Sequence, residues 1–234
     1  MSQQVIIDPR FRGPPDSANG GYVCGIVAGL IDGTSEVTLR RPPPIDRPLA
    51  VVRIDGGGVA LRDGETVVAE GVPASVEIEV PDSVSFGEAA EAAKSFVWAE
   101  NHPYPTCFVC GPQRVARDSL CIFPGPIEGR NAVAAPWVPD ASLGDESGTV
   151  RPEFVWSALD CPGAFAFIRS ADDLVLLGRL AAKLTSPIRC GQRYVVIGWP
   201  LGSEGRRLYA GTALFSEAGT LHALARATWV KMES

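Results

Sequence analysis

Histidine is scarce in this chain, which has only His102 and His222 among its 234 residues. His102 lies in a Pro-rich stretch, and His222 alternates with apolar residues in a predicted strand, so neither has the setting of a catalytic base. The sequence also lacks a Gly-x-Ser-x-Gly elbow and a Gly-x-x-x-x-Gly-Lys phosphate loop. These absences argue against a His-dependent serine or cysteine hydrolase and against a nucleotide-binding loop.

Long apolar runs and clustered positive charge are absent as well. No run of about 18 uncharged apolar residues occurs, and residues 1–10 carry charges without the apolar core of a signal peptide. This predicts a soluble cytoplasmic protein that does not enter a membrane. The net charge is −6, and lysine occurs only at positions 94, 183 and 231. Nucleic acid binding is therefore not expected, because it depends on clustered Lys and Arg.

The chain has six cysteines, which we expect to be reduced thiols in the absence of an export signal. Cys107 and Cys110 have the spacing of a zinc knuckle, with His102 and Cys121 as further candidate ligands. A second closely spaced ligand pair is missing. The sequence therefore favours thiols packed in a Pro-rich loop and no bound metal, with a zinc site and a redox pair as the alternatives.

The two halves of the chain show the same order of segments. In each half, one apolar segment long enough for a helix is followed by a Pro-Ile bend that leads into a β-rich stretch, and then by a strand, an acidic-Gly turn and a strand. Chance recurrence in a Gly- and Pro-rich chain is the alternative explanation. The matched segments are 20–31 and 153–168, 44–54 and 187–197, and 61–69 and 215–223.

This order predicts an α+β fold with two repeats, residues 1–82 and 118–234, each with one helix packed on antiparallel strands. Residues 83–117 would link them. Within the linker, Ser85–Lys94 has a Ser N-cap and a Glu three residues later, which predicts a helix. Residues 102–126 are rich in Pro, Gly and Cys and predict an irregular loop.

Two short segments resemble hotdog-fold thioesterases of the acyl-CoA and phenylacetate-pathway type. In that family the central helix opens with His-Gly-Gly or Asn-Gly-Gly and carries an acidic residue two turns later. The first half has Asn19-Gly20-Gly21 but Ala28 at the acidic position. The second half has Asp160 at the acidic position but Pro152-Glu153 in place of the glycines.

The resemblance implies a fused double hotdog, with two antiparallel sheets that each wrap a central helix and are related by a pseudo-twofold axis. Since the family's sites lie between two units, it implies one site per chain. Gly20 and Gly21 would polarise the thioester carbonyl through the N-terminus of a helix, and Asn19 would cap that helix or orient the substrate. Asp160 would activate a water or attack the carbonyl directly.

The expected ligand is an acyl-CoA or another thioester, with CoA as part of the substrate and no other cofactor. Arg41 and Arg189 flank the matched bends and are candidate contacts for the CoA phosphates, unless they are simply solvated. A non-catalytic acyl-CoA or lipid-binding protein is the main alternative, and a hydratase is disfavoured by the lack of histidine. A homo-oligomer is compatible with the sequence.

Overall fold

The computed structural model describes residues 3–115, 117–170 and 172–232. The α-helices within these residues are α1 (Gly20–Ala28), α2 (Phe86–Ala93), α3 (Pro152–Ala158) and α4 (Cys161–Phe165). The strands are β1 (Gln4–Ile6), β2 (Ser35–Leu39), β3 (Pro48–Ile54), β4 (Gly58–Asp63), β5 (Thr66–Pro73), β6 (Gly125–Pro126), β7 (Val133–Trp137), β8 (Val175–Leu184), β9 (Tyr194–Glu204), β10 (Arg207–Ser216) and β11 (Leu221–Lys231).

These strands form one sheet in the order β1-β3-β4-β5-β2-β8-β11-β10-β9-β7-β6. Strand order repeats in its two halves, since β1-β3-β4-β5-β2 corresponds to β7-β9-β10-β11-β8. The halves join where β2 pairs antiparallel with β8 and Val37 lies opposite Leu180. The expectation of two separate sheets is therefore wrong, because the edge strands β2 and β8 pair and make the sheet continuous.

The hairpins that end each half use the turns that the sequence indicated. Strand β4 ends at Asp63 and β5 begins at Thr66, with Gly64 at φ 58° between them. The turn between β10 and β11 contains Gly219 at φ 80°. Glycine adopts this left-handed backbone at little steric cost, which explains the sharp reversals at these positions.

The helical segment of the second half is interrupted. A single helix over residues 153–168 is the wrong expectation, because α3 ends at Ala158 and α4 begins at Cys161. Pro162 explains the break, since it has no amide to donate to the Ala158 carbonyl and its ring crowds that carbonyl. The first-half helix, expected over 20–31, ends at Ala28. Asp160 thus lies in a short non-helical link between two helices.

Helices α1 and α3 pack against each other at very short range in the core. A Cβ atom at Gly25 would lie only 2.5 Å from the Cα atom of Glu153, so glycine is required for this approach. Val23, Val27 and Leu159 are fully buried around the contact. As a result, the N-terminus of α1 lies beside the link that carries Asp160.

The connection between the halves contains the predicted helix and the predicted loop. Ser85 caps α2 by accepting from the Glu88 amide, and the Glu88 carboxylate accepts from the Ser85 amide in return. The described residues of 102–124 have no helix or strand, as expected, but Gly125–Pro126 form β6, so the loop is shorter than the predicted 102–126. Ala116 lies outside the described residues. No helix in the described part of the chain is long and apolar enough to cross a membrane.

Candidate active site

The carboxylate of Asp160 is held against the N-terminus of α1. Its Oδ2 atom accepts hydrogen bonds from the Asn19 side-chain amide at 2.8 Å and from the Gly21 backbone amide at 2.9 Å. Asp160 is only 2% exposed. The structure therefore brings Asp160 to Asn19 and Gly21, which precede it by 141 and 139 residues in sequence.

Asn19 contacts both the helix and the carboxylate. Its side-chain oxygen accepts from the Tyr22 amide at 2.9 Å, the contact of a helix N-cap. Its side-chain nitrogen donates to Asp160 at the same time. The cap thus fixes the rotamer that presents the second donor.

The two glycines that open α1 differ in their surroundings. A Cβ atom at Gly21 would lie 2.5 Å from the Asp160 Cβ atom and 2.8 Å from the Trp156 carbonyl oxygen, both of which are held in place. At Gly20 the nearest atoms would be the ends of the Leu177 and Leu39 side chains, at 2.9 and 3.0 Å. Gly21 is therefore the position where glycine is indispensable to the site.

The second oxygen of Asp160, Oδ1, is buried and has no hydrogen-bond partner among the described residues. Desolvation raises the pKa of Asp160 to about 7, although the hydrogen bonds from Gly21 and Asn19 oppose this shift and negative charge at Cys107 adds to it. An unpartnered buried oxygen is costly, so it marks a place where a water or ligand atom is expected.

Asp160 lies in the wall of a cavity of about 590 Å³, a size typical of small-molecule sites. The wall also includes Asn19 and Gly20. Trp98 and Trp229 contribute buried indole N–H groups that have no partner among the described residues. Apolar side chains form much of the rest, among them Leu39, Phe165, Val175, Leu177 and Met232.

The basic residues singled out from the sequence are placed differently. Arg41 and its neighbour Arg40 belong to the cavity wall, and Arg40 is bonded to Glu70. Arg189 is not among the described residues of that wall, and its guanidinium donates to the Ser147 carbonyl and the Thr149 hydroxyl. Only the first of the two predicted arginines is therefore near the cavity.

The same wall contains a cluster of thiols, of which the sequence pointed to Cys107 and Cys110 but not to Cys161. Cys107, Cys110 and Cys161 have sulphur atoms within 4.8 Å of one another. Hydrogen bonding with the neighbouring thiols of Cys110 and Cys161 lowers the pKa of Cys107 well below its usual value, although burial opposes this shift. The Cys110 thiol donates to the Cys161 sulphur at 3.3 Å. The position of Cys161 next to Asp160 was the signal in the sequence, but only the fold shows that residues 107–110 reach it.

A second, smaller cavity of about 350 Å³ lies at the opposite ends of α1 and α3. Its wall includes Ala28, Pro152 and Trp156. Ala28 and Asp160 each lie eight residues after the first residue of their helix, so the two cavities occupy corresponding positions in the two halves. The second one lacks a carboxylate at the corresponding position.

Solved structures place this architecture in a known fold. The tesB protein of Mycobacterium avium subspecies paratuberculosis superposes with a TM-score of 0.63 at 15% identity, over 98% of this chain and 92% of that one. A hot dog fold protein of unknown function from Alicyclobacillus acidocaldarius gives 0.60 at 8% identity, over 99% and 93%. A candidate oleoyl thioesterase from Lactobacillus plantarum gives 0.59 at 11% identity, over 100% and 96%.

The chain therefore has an α+β hotdog fold. The solved proteins that it resembles over nearly its whole length include a tesB protein and two candidate thioesterases. No protein-family model and no curated protein matches the chain by sequence. At these sequence identities the structural similarity shows the fold, whereas an activity depends on the residues of the site.

Proposed function

We propose that this protein is a fused double hotdog that hydrolyses an acyl-CoA thioester at one site per chain, between its two halves. The observation that carries the proposal is the setting of Asp160. One oxygen is anchored by Asn19 and Gly21 from the other half, and the second oxygen lacks a partner in the wall of a large apolar cavity. The thioesterase names of the full-length structural neighbours support the same chemistry.

Hydrolysis would begin with a water bound at the free Oδ1 of Asp160. As the water oxygen attacks the thioester carbon, its proton passes to the carboxylate and negative charge develops on the carbonyl oxygen. Collapse of the tetrahedral intermediate breaks the carbon–sulphur bond and releases a carboxylic acid and the CoA thiolate, which takes the proton from Asp160 and leaves as the thiol. A thiolate is a good leaving group, since thiols have a pKa of roughly 8.5, so the reaction does not require a histidine as acid.

The two glycines would have different roles. The Gly21 amide already donates to Asp160, so we assign it to holding the carboxylate. As the first residue of α1, Gly20 has an amide with no acceptor inside the helix. We assign that amide, which lies at the positive end of the helix, to the carbonyl oxygen that becomes negative. The apolar wall would hold the acyl chain, and Arg41 would face the CoA phosphates.

One observation favours the other candidate, a binding protein without turnover. Asp160 is 2% exposed and its bonded oxygen is fully engaged by Asn19 and Gly21. A carboxylate used only to fix the two halves would have the same surroundings. In that case the cavity would bind an acyl-CoA or lipid and release no thiol.

A panel of acyl-CoAs of different chain length, assayed by thiol release, separates the two functions. The protein has six cysteines of its own. A control reaction with protein but no acyl-CoA therefore measures the thiol signal that has to be subtracted. We expect catalytic release of CoA from at least one acyl-CoA, and loss of that release in Asp160→Asn. Saturable binding of the same acyl-CoAs without thiol release would select the binding protein instead.

A further inference from the structure

The thiol cluster beside Asp160 has no role in the proposed hydrolysis. The sulphur atoms of Cys110 and Cys161 are 3.3 Å apart, and the Cys107 sulphur lies within 4.8 Å of both. The three residues are 4%, 3% and 8% exposed in the order Cys107, Cys110 and Cys161. Cys110 and Cys161 are 51 residues apart in sequence, so their meeting is a property of the fold rather than of local spacing.

The loop around Cys107 is a tight turn held by backbone hydrogen bonds. The Cys107 amide bonds the Tyr104 carbonyl at 2.9 Å, and the Gly111 amide bonds the Cys107 carbonyl at 3.0 Å. A Cβ atom at Gly111 would lie 2.5 Å from the Cys107 nitrogen, so this tight turn requires glycine.

We propose that Cys107, Cys110 and Cys161 bind one Zn²⁺ ion as three thiolates. Zinc–sulphur bonds of about 2.3 Å in a tetrahedron place the sulphur atoms about 3.8 Å apart. This distance lies between the 3.3 Å that separates the Cys110 and Cys161 sulphur atoms and the 4.8 Å within which all three sulphur atoms lie. Thiolate ligands favour zinc over magnesium or calcium, and the thiols would release their protons when the metal binds. The proposal concerns residues that the proposed hydrolysis does not use and does not depend on it.

His102 is assigned to orienting the site rather than to binding the metal. Its Nδ1 atom accepts a hydrogen bond from the Tyr104 amide at 2.9 Å, which places the proton of the neutral ring on Nε2. Nε2 lies 3.4 Å from the Cys110 sulphur and donates toward it. Since all four residues belong to the cavity wall, the fourth metal position would be taken by water or by a ligand from the cavity.

This site differs from the one considered from the sequence, in which Cys121 was a further candidate ligand. The Cys121 sulphur lies 3.2 Å from the Ser119 hydroxyl and is not part of the cluster. A metal on Cys107, Cys110 and Cys161 would join the loop that contains residues 107–110 to the first residue of α4, directly after Asp160. It would thereby hold the segment that carries Asp160 in place.

Metal analysis of the full chain, purified under reducing conditions without chelator, tests the proposal. We expect about one zinc per chain for three thiolate ligands. Cys107→Ser and Cys161→Ser should lower the zinc content to background, whereas Cys190→Ser, which changes a cysteine outside the cluster, should not. Wild-type protein stripped of metal and titrated with Co²⁺ should show thiolate-to-cobalt charge transfer and the strong visible bands of a tetrahedral ion.

Either of two results for the wild type would overturn the site even if the cysteine variants fail to fold. One is background zinc together with Co²⁺ spectra that show no thiolate charge transfer. The other is a Cys110–Cys161 disulfide found by mass spectrometry in protein kept under reductant. Equal zinc loss in Cys190→Ser and Cys161→Ser would also contradict it, because the effect would then not be specific to the cluster.

Discussion

The two halves of the chain share a strand order but differ at their helices. Helix α1 begins with Asn19-Gly20-Gly21 and carries Ala28 where its counterpart has Asp160. Helix α3 begins with Pro152 and Glu153, which leave no Gly-Gly turn for a ligand or a carboxylate to approach. Each half therefore supplies one part of the site and lacks the other.

The two cavities also differ in size, and the larger one contains Asn19 and Asp160. The one that contains Asn19 and Asp160 has a volume of about 590 Å³, and its counterpart beside Ala28 and Pro152 has about 350 Å³. A symmetric pair of sites would need a carboxylate and a glycine turn in both cavities. The smaller cavity has no carboxylate among the described residues of its wall, which supports the proposal of a single site.

The largest effect is expected for Asp160→Asn. The amide preserves the shape but cannot accept a proton from water, so the rate constant for thioester hydrolysis should fall about 100-fold to 10,000-fold with ligand binding nearly unchanged. Thiol-release kinetics and a binding titration measure the two quantities. Asp55→Asn, at an exposed turn, is the matched control and should behave as wild type. A rate within a few-fold of wild type would remove Asp160 from the mechanism.

The second largest effect is expected at the two glycines of α1, which should respond differently to substitution. In Gly21→Ala the new methyl group meets the fixed Asp160 and Trp156 atoms, so we expect a loss of about 1–3 kcal/mol in unfolding free energy and a large loss of activity. In Gly20→Ala the new methyl group meets the ends of Leu177 and Leu39 and, at 3.2 Å, the Leu177 Cβ atom, so the loss of stability should be smaller. Gly21→Val should impair binding as well as rate. Chemical denaturation and thiol release provide the comparison, and equal stability losses in the two alanine variants would contradict it.

The contact between these helices could be inferred only in part from the sequence. The pairing of Asn19-Gly20-Gly21 with Asp160 came from a resemblance and did not depend on local propensity. The apolar residues of 153–168 alone predict one continuous helix, whereas the missing amide of Pro162 favours the break that separates α3 from α4. The capping box of Ser85 and Glu88, by contrast, is local and could be predicted with its partners.

The thiol cluster, by contrast, could not be predicted in full from local sequence. Spacing identified Cys107 and Cys110, but the third sulphur comes from a distant helix, and no local pattern indicates which cysteine that is. Cys121 was nearer in sequence and was the natural candidate. Likewise, the flanking position of Arg189 gave no indication that its guanidinium bonds to Ser147 and Thr149. Long-range packing decides such contacts.

A smaller effect is expected at Asn19, where two roles can be separated. Asn19→Ala removes the cap and the donor to Asp160, and should cost about 1 kcal/mol of stability and about tenfold in rate. Asn19→Ser keeps an oxygen for the Tyr22 amide but has no amide nitrogen to reach Asp160. It should therefore retain most of the stability and still lose rate. If thermal denaturation and activity change together in both variants, the donor has no separate role.

The smallest effect on activity is expected when the second cavity is given a carboxylate. Ala28→Asp should add no second site, since the segment that faces it begins with Pro152 and Glu153 rather than two glycines. Activity per chain should stay at or below the wild-type value. Ala28→Asn is the control for the added bulk. A clear gain of activity in Ala28→Asp alone would show that the halves are more nearly equivalent than proposed.

Binding stoichiometry tests the central claim most directly. Calorimetric titration with a thioether analogue of an acyl-CoA, which cannot be hydrolysed, should give about one ligand per chain for wild type and for Asp160→Asn, because the two halves form a single competent site. Gly21→Val should abolish the heat of binding. Two ligands per chain, or undiminished binding in Gly21→Val, would contradict a single site built from Asn19, Gly20 and Gly21 of one half and Asp160 of the other.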